Sequence, residues 1–556
     1  MAKTVKDEIE RKFLVFTGNV PDLKQYKSYL IQQGYLESKD RLRRKLFQDG
    51  RCEYFLENKT GSGLLRPEGS EDISNLYFDQ YWPETMGSRL EKRRYQIPLP
   101  KHMTGLKKSE KAVAELDFYL DDNLADLITV EVEFTSVESS RQFVVPPWFG
   151  REVTGMTEYD NYTLATQGLP LITHLETGLN QLVRQIASRL NQESGPLVVA
   201  VAGGSASGKT RAAEQLHEYF CEDSVLISLD DYYLGADKME VSNWDDPRAL
   251  DLDLCAKHLA QLKSGKSILA PIYDFKVSKR VGYKNIKPKT LIIAEGIFAL
   301  HEQFKAVSDI KVFVDANVHT RLVRKLVRDI VRTSQTMSEL TSYFFNKVEP
   351  AHQQNVQSAI ETANLIINND YHVAEDKKLV DGESQLKFLV TKHNFQGLKF
   401  VGLETLDNIK QVDYYCTPKS NNDLDKSSLL RLRIETRDED KKNSLFSITY
   451  KGMSRVDSLT RNRAKIEVAQ LDELLQEKIF NSYQKVLTIH KDRMVYQLDK
   501  VTIHLDYVSV EGVGAKIFIE LVGEPKDIQE VATKLDLDMD TAKKESYFEL
   551  FTAVPE

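Results

Sequence analysis

The stretch EIERKFLV, residues 8–15, sets Glu8, Glu10 and Lys12 at every second position. Successive side chains of a strand point to opposite faces, so these three charges share one face. The period recurs downstream: Arg41 and Arg43 in RLRR, Glu57 and Lys59 in LENKT, Lys92 and Arg94 in EKRRYQIPL, Glu115 and Asp117 in AELDF, Glu131 and Glu133 in VEVEF. The opposite faces carry Ile9, Leu42, Leu116, Val130 and Val132, which need burial away from the charges. One such strand is a solvated sheet face. So many in one region are reconciled by an antiparallel β-barrel closed on itself, charged within and covered by helices outside. Charges confined to a lumen cannot stay unpaired, so both signs are required there. Glu8, Glu10, Glu131 and Glu133, joined by Asp117, form an oxygen-rich set suited to Mg²⁺ or Mn²⁺. Lys12, Arg41, Arg43, Lys59, Lys92 and Arg94 suit a polyanion carrying several phosphates. With that charge neutralised, a water oriented by a carboxylate can attack a terminal phosphorus, which makes Glu10 and Lys12 the catalytic candidates.

A chain of 556 residues is long enough for about three or four domains. Its 41% hydrophobic and 28% charged residues are those of an ordinary soluble protein, and no run approaches the roughly 18 apolar residues of a membrane span. MAKTVKDEIE lacks the apolar core of a secretory signal, and Cys52, Cys221, Cys255 and Cys416 show neither metal-ligand nor disulfide spacing; a cytoplasmic protein is expected. A net charge of −8 argues against nucleic acid as the main partner. The pattern divides the chain into a β-rich region (1–170), a helical linker (171–195) carrying LITHLETGLNQLVRQIASRL, a βα-type region (196–370), and a second charged β-rich region (371–556) interrupted by a helical QLDELLQEKIF.

In the third of these, GGSASGKT fits G-x-x-x-x-G-K-[ST] and lies between an apolar strand, LVVAVA, and a helix, RAAEQLHEYF. Gly203, Gly204, Ser205, Ser207 and Gly208 form a loop whose N–H groups can wrap phosphate oxygens. Lys209 adds a point charge and Thr210 a hydroxyl for Mg²⁺. SVLISLDDYY ends a strand in Asp230, a candidate general base or a helix cap, and TLIIAEG presents Glu295, a metal holder or a solvated strand end. Together with NWDDPRALD, PIYDF, IIAEGIFAL and VFVDANVHTRLVRKLVRDI, this region resembles the uridine kinases and their phosphoribulokinase-like relatives. The resemblance implies a parallel-sheet P-loop fold, ATP and Mg²⁺ at Lys209 and Thr210, Asp230 as base, Glu295 near the metal, and Tyr233, Asp251, Tyr273 and Arg280 around an acceptor nucleoside. Arg321, Arg324 and Arg328 fall on one helical face, able to reach phosphate oxygens or to be solvated. Two departures bear on the acceptor: Ser278 stands where uridine kinases usually carry histidine, and Thr333, Ser334 and Gln335 replace a lid arginine pair.

The first region, with its ExExK set Glu8, Glu10 and Lys12, RLRR, EKRRY, VEVEF and GREVT, resembles the CYTH family, the triphosphate tunnel metalloenzymes. That family includes inorganic triphosphatases, thiamine triphosphatases and class IV adenylate cyclases, so the likeness implies a triphosphate-bearing small molecule more firmly than a product. The last region repeats the first. ESQLKFLV, with Glu383 and Lys387, answers EIERKFLV; Arg431 and Arg433 answer Arg41 and Arg43; Lys451 answers Lys59; Asp506 and Glu520 answer Asp117 and Glu131; and Arg461 and Arg463 resemble the later basic strand. Gln385 and Val522 replace Glu10 and Glu133, so two carboxylates of the metal set are missing while the basic set survives. The expectation is two CYTH-type barrels flanking a P-loop kinase-like domain. The N-terminal barrel would be a metal-dependent triphosphatase, with an adenylate cyclase or a slow-turnover nucleotide sensor as rivals, and the C-terminal barrel would bind a phosphorylated ligand and hydrolyse it poorly.

Overall fold

The computed structural model describes residues 4–59, 65–100, 112–136, 139–140, 143–192, 195–239, 241, 243–332, 335, 337–370, 383–390, 406–418, 430–437, 444–454, 460–468, 480, 483–523, 525–543 and 545–552. For Glu8, Lys59, Glu383, Lys451, Arg461 and Arg463 only the backbone is described. The expected helix QLDELLQEKIF, apart from Phe480, and the lid residues Thr333 and Ser334 lie outside the described residues. The chain forms two compact units, residues 1–316 with 351–374, and residues 317–350 with 375–556. Among the described residues no helix is long and apolar enough to cross a membrane.

The first unit begins with strands β1 (Thr4–Leu14), β2 (Ser28–Tyr35), β3 (Arg41–Phe47), β4 (Cys52–Lys59), β5 (Leu65–Asp72), β6 (Arg89–Pro98), β7 (Val113–Tyr119) and β8 (Ile128–Phe134). They pair antiparallel in the closed order β1-β5-β4-β3-β2-β6-β7-β8. The turn in QDGR reverses the chain between β3 and β4: Gly50 takes φ +85°, a left-handed conformation that glycine adopts without penalty, and its N–H reaches the Phe47 carbonyl at 3.0 Å. Alternation sends Phe13, Val15, Leu116, Val130 and Val132 outward into an apolar layer with Phe143 and Phe149, and the charged residues inward.

The P-loop region of this unit is a parallel sheet ordered β10 (Ser224–Ser228), β13 (Leu291–Glu295), β9 (Leu197–Ala202), β14 (Ile310–Asp315), β15 (Leu365–Asn368). Strand β9 is buried throughout, as its unbroken apolar run requires when helices cover both faces. A hairpin of β11 (Ile268–Asp274) and β12 (Lys279–Ile286) stands apart from that sheet. The linker helix α1 (Leu175–Gln192) starts later than the apolar period suggested, because Thr173 and His174 pair with Asn368 in extended form. Its Leu179, Leu182 and Ile186 enter the same core as β9, β13 and β14, and Phe16 of the barrel joins them. Asn180 fixes this junction: its carbonyl accepts from Thr17 N–H at 2.8 Å and its amide donates to Val15 O and Asp126 O at 3.0 Å. The barrel and the parallel sheet thus share a core that composition alone had drawn as separate domains.

In the second unit β16 (Glu383–Leu389), β17 (Asp407–Pro418), β18 (Leu430–Arg437), β19 (Ser444–Ser454), β20 (Thr460–Val468), β21 (Tyr483–Leu498), β22 (Val501–Val510) and β23 (Gly514–Val522) pair in the closed order β16-β20-β19-β18-β17-β21-β22-β23. Strand for strand this is the order of the first barrel. Register agrees as well: Glu10 faces Glu133 and Lys12 faces Glu131, while Gln385 faces Val522 and Lys387 faces Glu520. The correspondence corrects one reading. Strand β20, with Arg461 and Arg463, occupies the place of β5, and the counterparts of Lys92 and Arg94 are Lys491 and Arg493 on β21. The same unit holds helices that the sequence assigned to the P-loop region: α4 (Val318–Arg332), α5 (Met337–Tyr343) and a π-turn at Phe344–Val348. Between α1 and α4 lie α2 (Lys209–Phe220) and α3 (Leu252–Lys263), both in the first unit.

Candidate functional site

The N-terminal lumen is a lattice of ion pairs. Arg94 donates from Nε and Nη2 to Asp117 at 2.7 and 2.6 Å, from Nη2 to Glu131 at 2.7 Å, and from Nη1 to Glu115. Lys92, 1% exposed, donates to Asp117, wholly buried, at 2.6 Å. Lys12 donates to the Tyr159 carbonyl at 2.9 Å and lies 3.2 Å from Glu131. Burial works against its charge, yet Tyr119, Glu131, Glu10 and Asp117 hold the ammonium above the usual lysine range, so it is cationic at any working pH. On the other wall Arg41 Nε meets Glu57 at 2.7 Å, and Arg43 binds the other oxygen of the same carboxylate. Burial pushes the Tyr29 hydroxyl up to about 12.

This lattice breaks up the expected five-carboxylate metal set. Asp117 and Glu131 are taken by lysine and arginine, because β6 projects Lys92 and Arg94 onto the face that β7 and β8 supply with Asp117 and Glu131. Glu10 is buried and Glu133, its register neighbour, is exposed; Glu8 lies on the same face of β1 with its side chain outside the described residues. Among the described residues no three metal-ligating side chains converge. Of the expected set, Glu10 and Glu133 face each other across β1 and β8, with Glu8 on the same face of β1. Glu57 and Glu115, displayed by the same alternation, are the carboxylate partners of Arg41, Arg43 and Arg94.

In the P-loop, Gly203 takes φ +152°, and a Cβ there would stand 2.3 Å from the Val314 carbonyl oxygen; Gly208 takes φ +98° at the N-terminus of α2. Asn369 ties the loop down, donating to Ser207 O at 2.8 Å, beside Gly204 and Ser205. Lys209 begins α2 and Thr210 follows, its hydroxyl donating to Glu295 at 2.9 Å, while Ser228 donates to the other Glu295 oxygen at 2.5 Å. Strands β9, β10 and β13 therefore deliver Thr210, Glu295 and Asp230 to the carboxyl edge of the sheet, where α/β folds take their ligands. Glu295 is buried, not a solvated strand end.

The residues expected around an acceptor, Tyr233 and Tyr273, pack ring against ring with Phe275 and with Trp244, which the sequence did not single out: Tyr233 to Trp244 is 5.5 Å, Tyr233 to Tyr273 5.5 Å and Tyr273 to Phe275 5.0 Å. Arg280 and Asp251 have structural duties here. Arg280 donates to the Tyr232 and Tyr233 carbonyls at 2.7 and 2.9 Å, and Asp251, 3.4 Å from Arg280, caps α3 by accepting from Leu254 N–H at 3.2 Å. They shape the LDDYY turn. The expected arginine face of α4 also divides: Arg321, 1% exposed, is bound to Glu349 at 2.5 Å, and Arg328 donates to Asp329 at 2.7 Å. Arg324 and both of these lie in the second unit.

The C-terminal lumen keeps the cations and some of their partners. Arg493 binds Asp506 twice at 2.6 Å and Glu520 at 2.5 Å, and Lys387 lies 3.3 Å from Glu520. Arg433 binds Asp413 at 2.6 and 2.7 Å, with Arg431 3.8 Å away. Glu57 faces Arg41 in the first barrel, whereas Thr449 faces Arg431 in the second, so the carboxylate serving this arginine pair has moved from β4 to the β17 residue Asp413. Lys451 and Glu383 have their strands described and their side chains not.

Residues 198–374 match the family model "Phosphoribulokinase / Uridine kinase family", and residues 383–547 match the CYTH domain model. A uridine kinase of Brevibacillus brevis is 39% identical over 180 residues, spanning 31% of this chain and 84% of that protein. An inorganic pyrophosphatase of Arabidopsis thaliana is 35% identical over 199 residues, 35% of this chain but 29% of that protein. Uridine-cytidine kinase C of Dictyostelium discoideum is 27% identical over 412 residues, 70% of this chain and 86% of that protein.

Proposed function

The chain belongs to the phosphoribulokinase/uridine kinase family through residues 198–374, and from that premise we propose that it joins an ATP-dependent phosphotransferase to a phosphoanhydride hydrolase. The P-loop region phosphorylates a hydroxyl of a nucleoside-type acceptor. The N-terminal barrel, read as a CYTH-type tunnel, hydrolyses inorganic triphosphate or a related polyphosphate or nucleoside triphosphate. The C-terminal barrel holds a phosphorylated ligand with little turnover. The observation that carries the hydrolase reading is the lumen itself, where Lys12, Lys92 and Arg94 are buried on one wall. The pyrophosphatase relative supports a phosphoanhydride substrate.

In the N-terminal barrel a polyphosphate competes with Glu57, Glu115 and Asp117 for the guanidinium and ammonium donors, exchanging one anion for another of higher charge. Lys12 reaches a phosphoryl oxygen, and Glu10 orients the attacking water and takes its proton. Glu10, Glu133 and Glu8 would hold Mg²⁺ or Mn²⁺, which supplies charge neutralisation at the terminal phosphoryl group. In the P-loop region Lys209 and the loop N–H groups bind ATP phosphates, and Thr210 with Glu295 borders the metal position. Asp230 withdraws the acceptor proton, with Tyr233 and Tyr273 walling the acceptor.

The test is a substrate panel of inorganic triphosphate, pyrophosphate, ATP, and uridine plus ATP, with Mg²⁺ or Mn²⁺, on the parent chain, Glu10→Gln and Lys209→Ala. Orthophosphate from triphosphate that Glu10→Gln abolishes, and nucleoside phosphorylation that Lys209→Ala abolishes, are the expected results. Triphosphate hydrolysis that survives Glu10→Gln refutes the assignment of the first barrel; cyclic nucleotide from ATP makes it a cyclase, and saturable binding without turnover makes it a sensor.

A further inference from the structure

The two lumens differ at the carboxylate each pairs with its K-x-R strand. In the first barrel Asp117 is shared by Arg94 and Lys92. In the second, Asp506 is shared by Arg493 and the hydroxyl of Tyr547, which donates to it at 2.7 Å from the C-terminal helix Tyr547–Thr552. The tyrosine takes the position of the lysine, and Lys491 is left over. It is 3% exposed, two residues from Arg493 on the same face of β21, and its amine has no hydrogen bond or ion pair among the described residues. Its ammonium lies 5.3 Å from the centroid of the Tyr547 ring.

The charged surroundings of Lys491 are set by every strand around it. Arg433 on β18 and Arg493 on its own strand repel it; Asp413 on β17 and Asp506 on β22 attract it while each is already bound to an arginine. Burial and the two guanidinium groups outweigh the carboxylates and hold the amine well below the usual lysine range. Other carboxylates have also gone from this lumen. By register Gln385 replaces Glu10, Val522 replaces Glu133, and His504, facing Glu520 as Glu115 faces Glu131, replaces Glu115. A divalent ion has lost two of its donors here, Glu10 and Glu133 having become Gln385 and Val522, and an anion has gained a buried amine.

We propose that the C-terminal lumen is a metal-independent polyphosphate site and that Lys491 is its anchoring cation. This rests on the reading of that barrel as a phosphate-ligand site and deepens it. The phosphate chain enters as the free polyanion, Lys491 takes up a proton as it binds, and the Tyr547–Asp506 bond keeps the lysine from collapsing onto the carboxylate.

The probe is inorganic triphosphate, titrated calorimetrically into the full chain carrying Lys12→Ala and Lys209→Ala, which disable the other two anion sites. One saturable site is expected in EDTA, no tighter when Mg²⁺ is added because Mg²⁺ chelates the free polyanion, and with a binding heat that varies with the ionisation enthalpy of the buffer as proton uptake requires. Adding Lys491→Met weakens it about tenfold or more, since a charge-assisted hydrogen bond is lost; Lys491→Arg restores it. Amide hydrogen exchange in β21 and β22 of Lys491→Met no faster than in its parent shows that the fold is intact. Binding that needs Mg²⁺, or that Lys491→Met leaves unchanged while Arg433→Met destroys it, overturns the proposal and spares the underlying reading. No binding of triphosphate with or without Mg²⁺ overturns both.

Discussion

Replacing Arg94 by methionine tests whether the N-terminal lumen is held together by its ion pairs. Arg94 serves Asp117 through two nitrogens, Glu131 through one and Glu115 through the third, all from a side chain almost entirely buried. Methionine keeps much of the packing volume and removes the charge, leaving three carboxylates of adjacent strands facing one another with Lys92 and Lys12 alone to neutralise them. Breaking a buried pair by removing one partner costs about 3–5 kcal/mol, since the remaining charge stays desolvated. In a chain of several domains one unfolding midpoint is not well defined, so the measurement is amide hydrogen exchange on peptides from β6, β7 and β8. The opening equilibrium there should rise by roughly a hundredfold to several thousandfold at pH 7. A change below about 1 kcal/mol, the value of a surface pair, would mean that the lattice is solvated and the lumen not closed to water.

Gly203→Ala should abolish ATP binding, because the new Cβ must share space with the Val314 carbonyl at a φ that alanine resists; unchanged binding by fluorescent nucleotide titration would refute the loop geometry. Burial opposes the charge on Asp413, but Arg433 and Arg431 hold its carboxyl far below the usual range. Its contribution to stability is therefore complete above the unfolded value near 4 and is lost as pH falls below it, so Asp413→Asn should flatten the acid limb of exchange in β17 and β18. Arg280→Ala should slacken the LDDYY turn and raise the KM for the acceptor nucleoside while leaving ATP binding alone, read from steady-state kinetics with each substrate varied in turn.

The strand period made the charged and apolar faces legible, because alternation is a property of one segment. Which charge meets which is a property of register between segments. Arg94 and Asp117 lie on strands that a local reading had set down as basic and acidic in separate roles, and only their pairing shows that Asp117 is committed to cations. The same limit explains Arg461 and Arg463. Their composition matched the basic strand, whereas the sheet order gives that place to Lys491 and Arg493. The P-loop was legible for the opposite reason, since its residues act within one short strand–turn–helix. Arg321 showed helical spacing and positive charge, the same marks as a phosphate-binding residue, and nothing local could reveal that Glu349 closes it off.

The membership of residues 317–350 in the second unit has a practical consequence. These helices leave the parallel sheet after β14 and return before β15, so the polypeptide of one domain contributes part of the solid body of another. Within that body α5 packs on β20, and Glu349 and Arg321 are electrostatic neighbours of the buried Tyr483 at the start of β21. The stretch that matches the kinase family model is therefore not a unit that can be cut out. A shortened protein ending at residue 374 would take β20 away from α5 and Tyr483 away from Glu349 and Arg321, leaving that segment without the neighbours it has here.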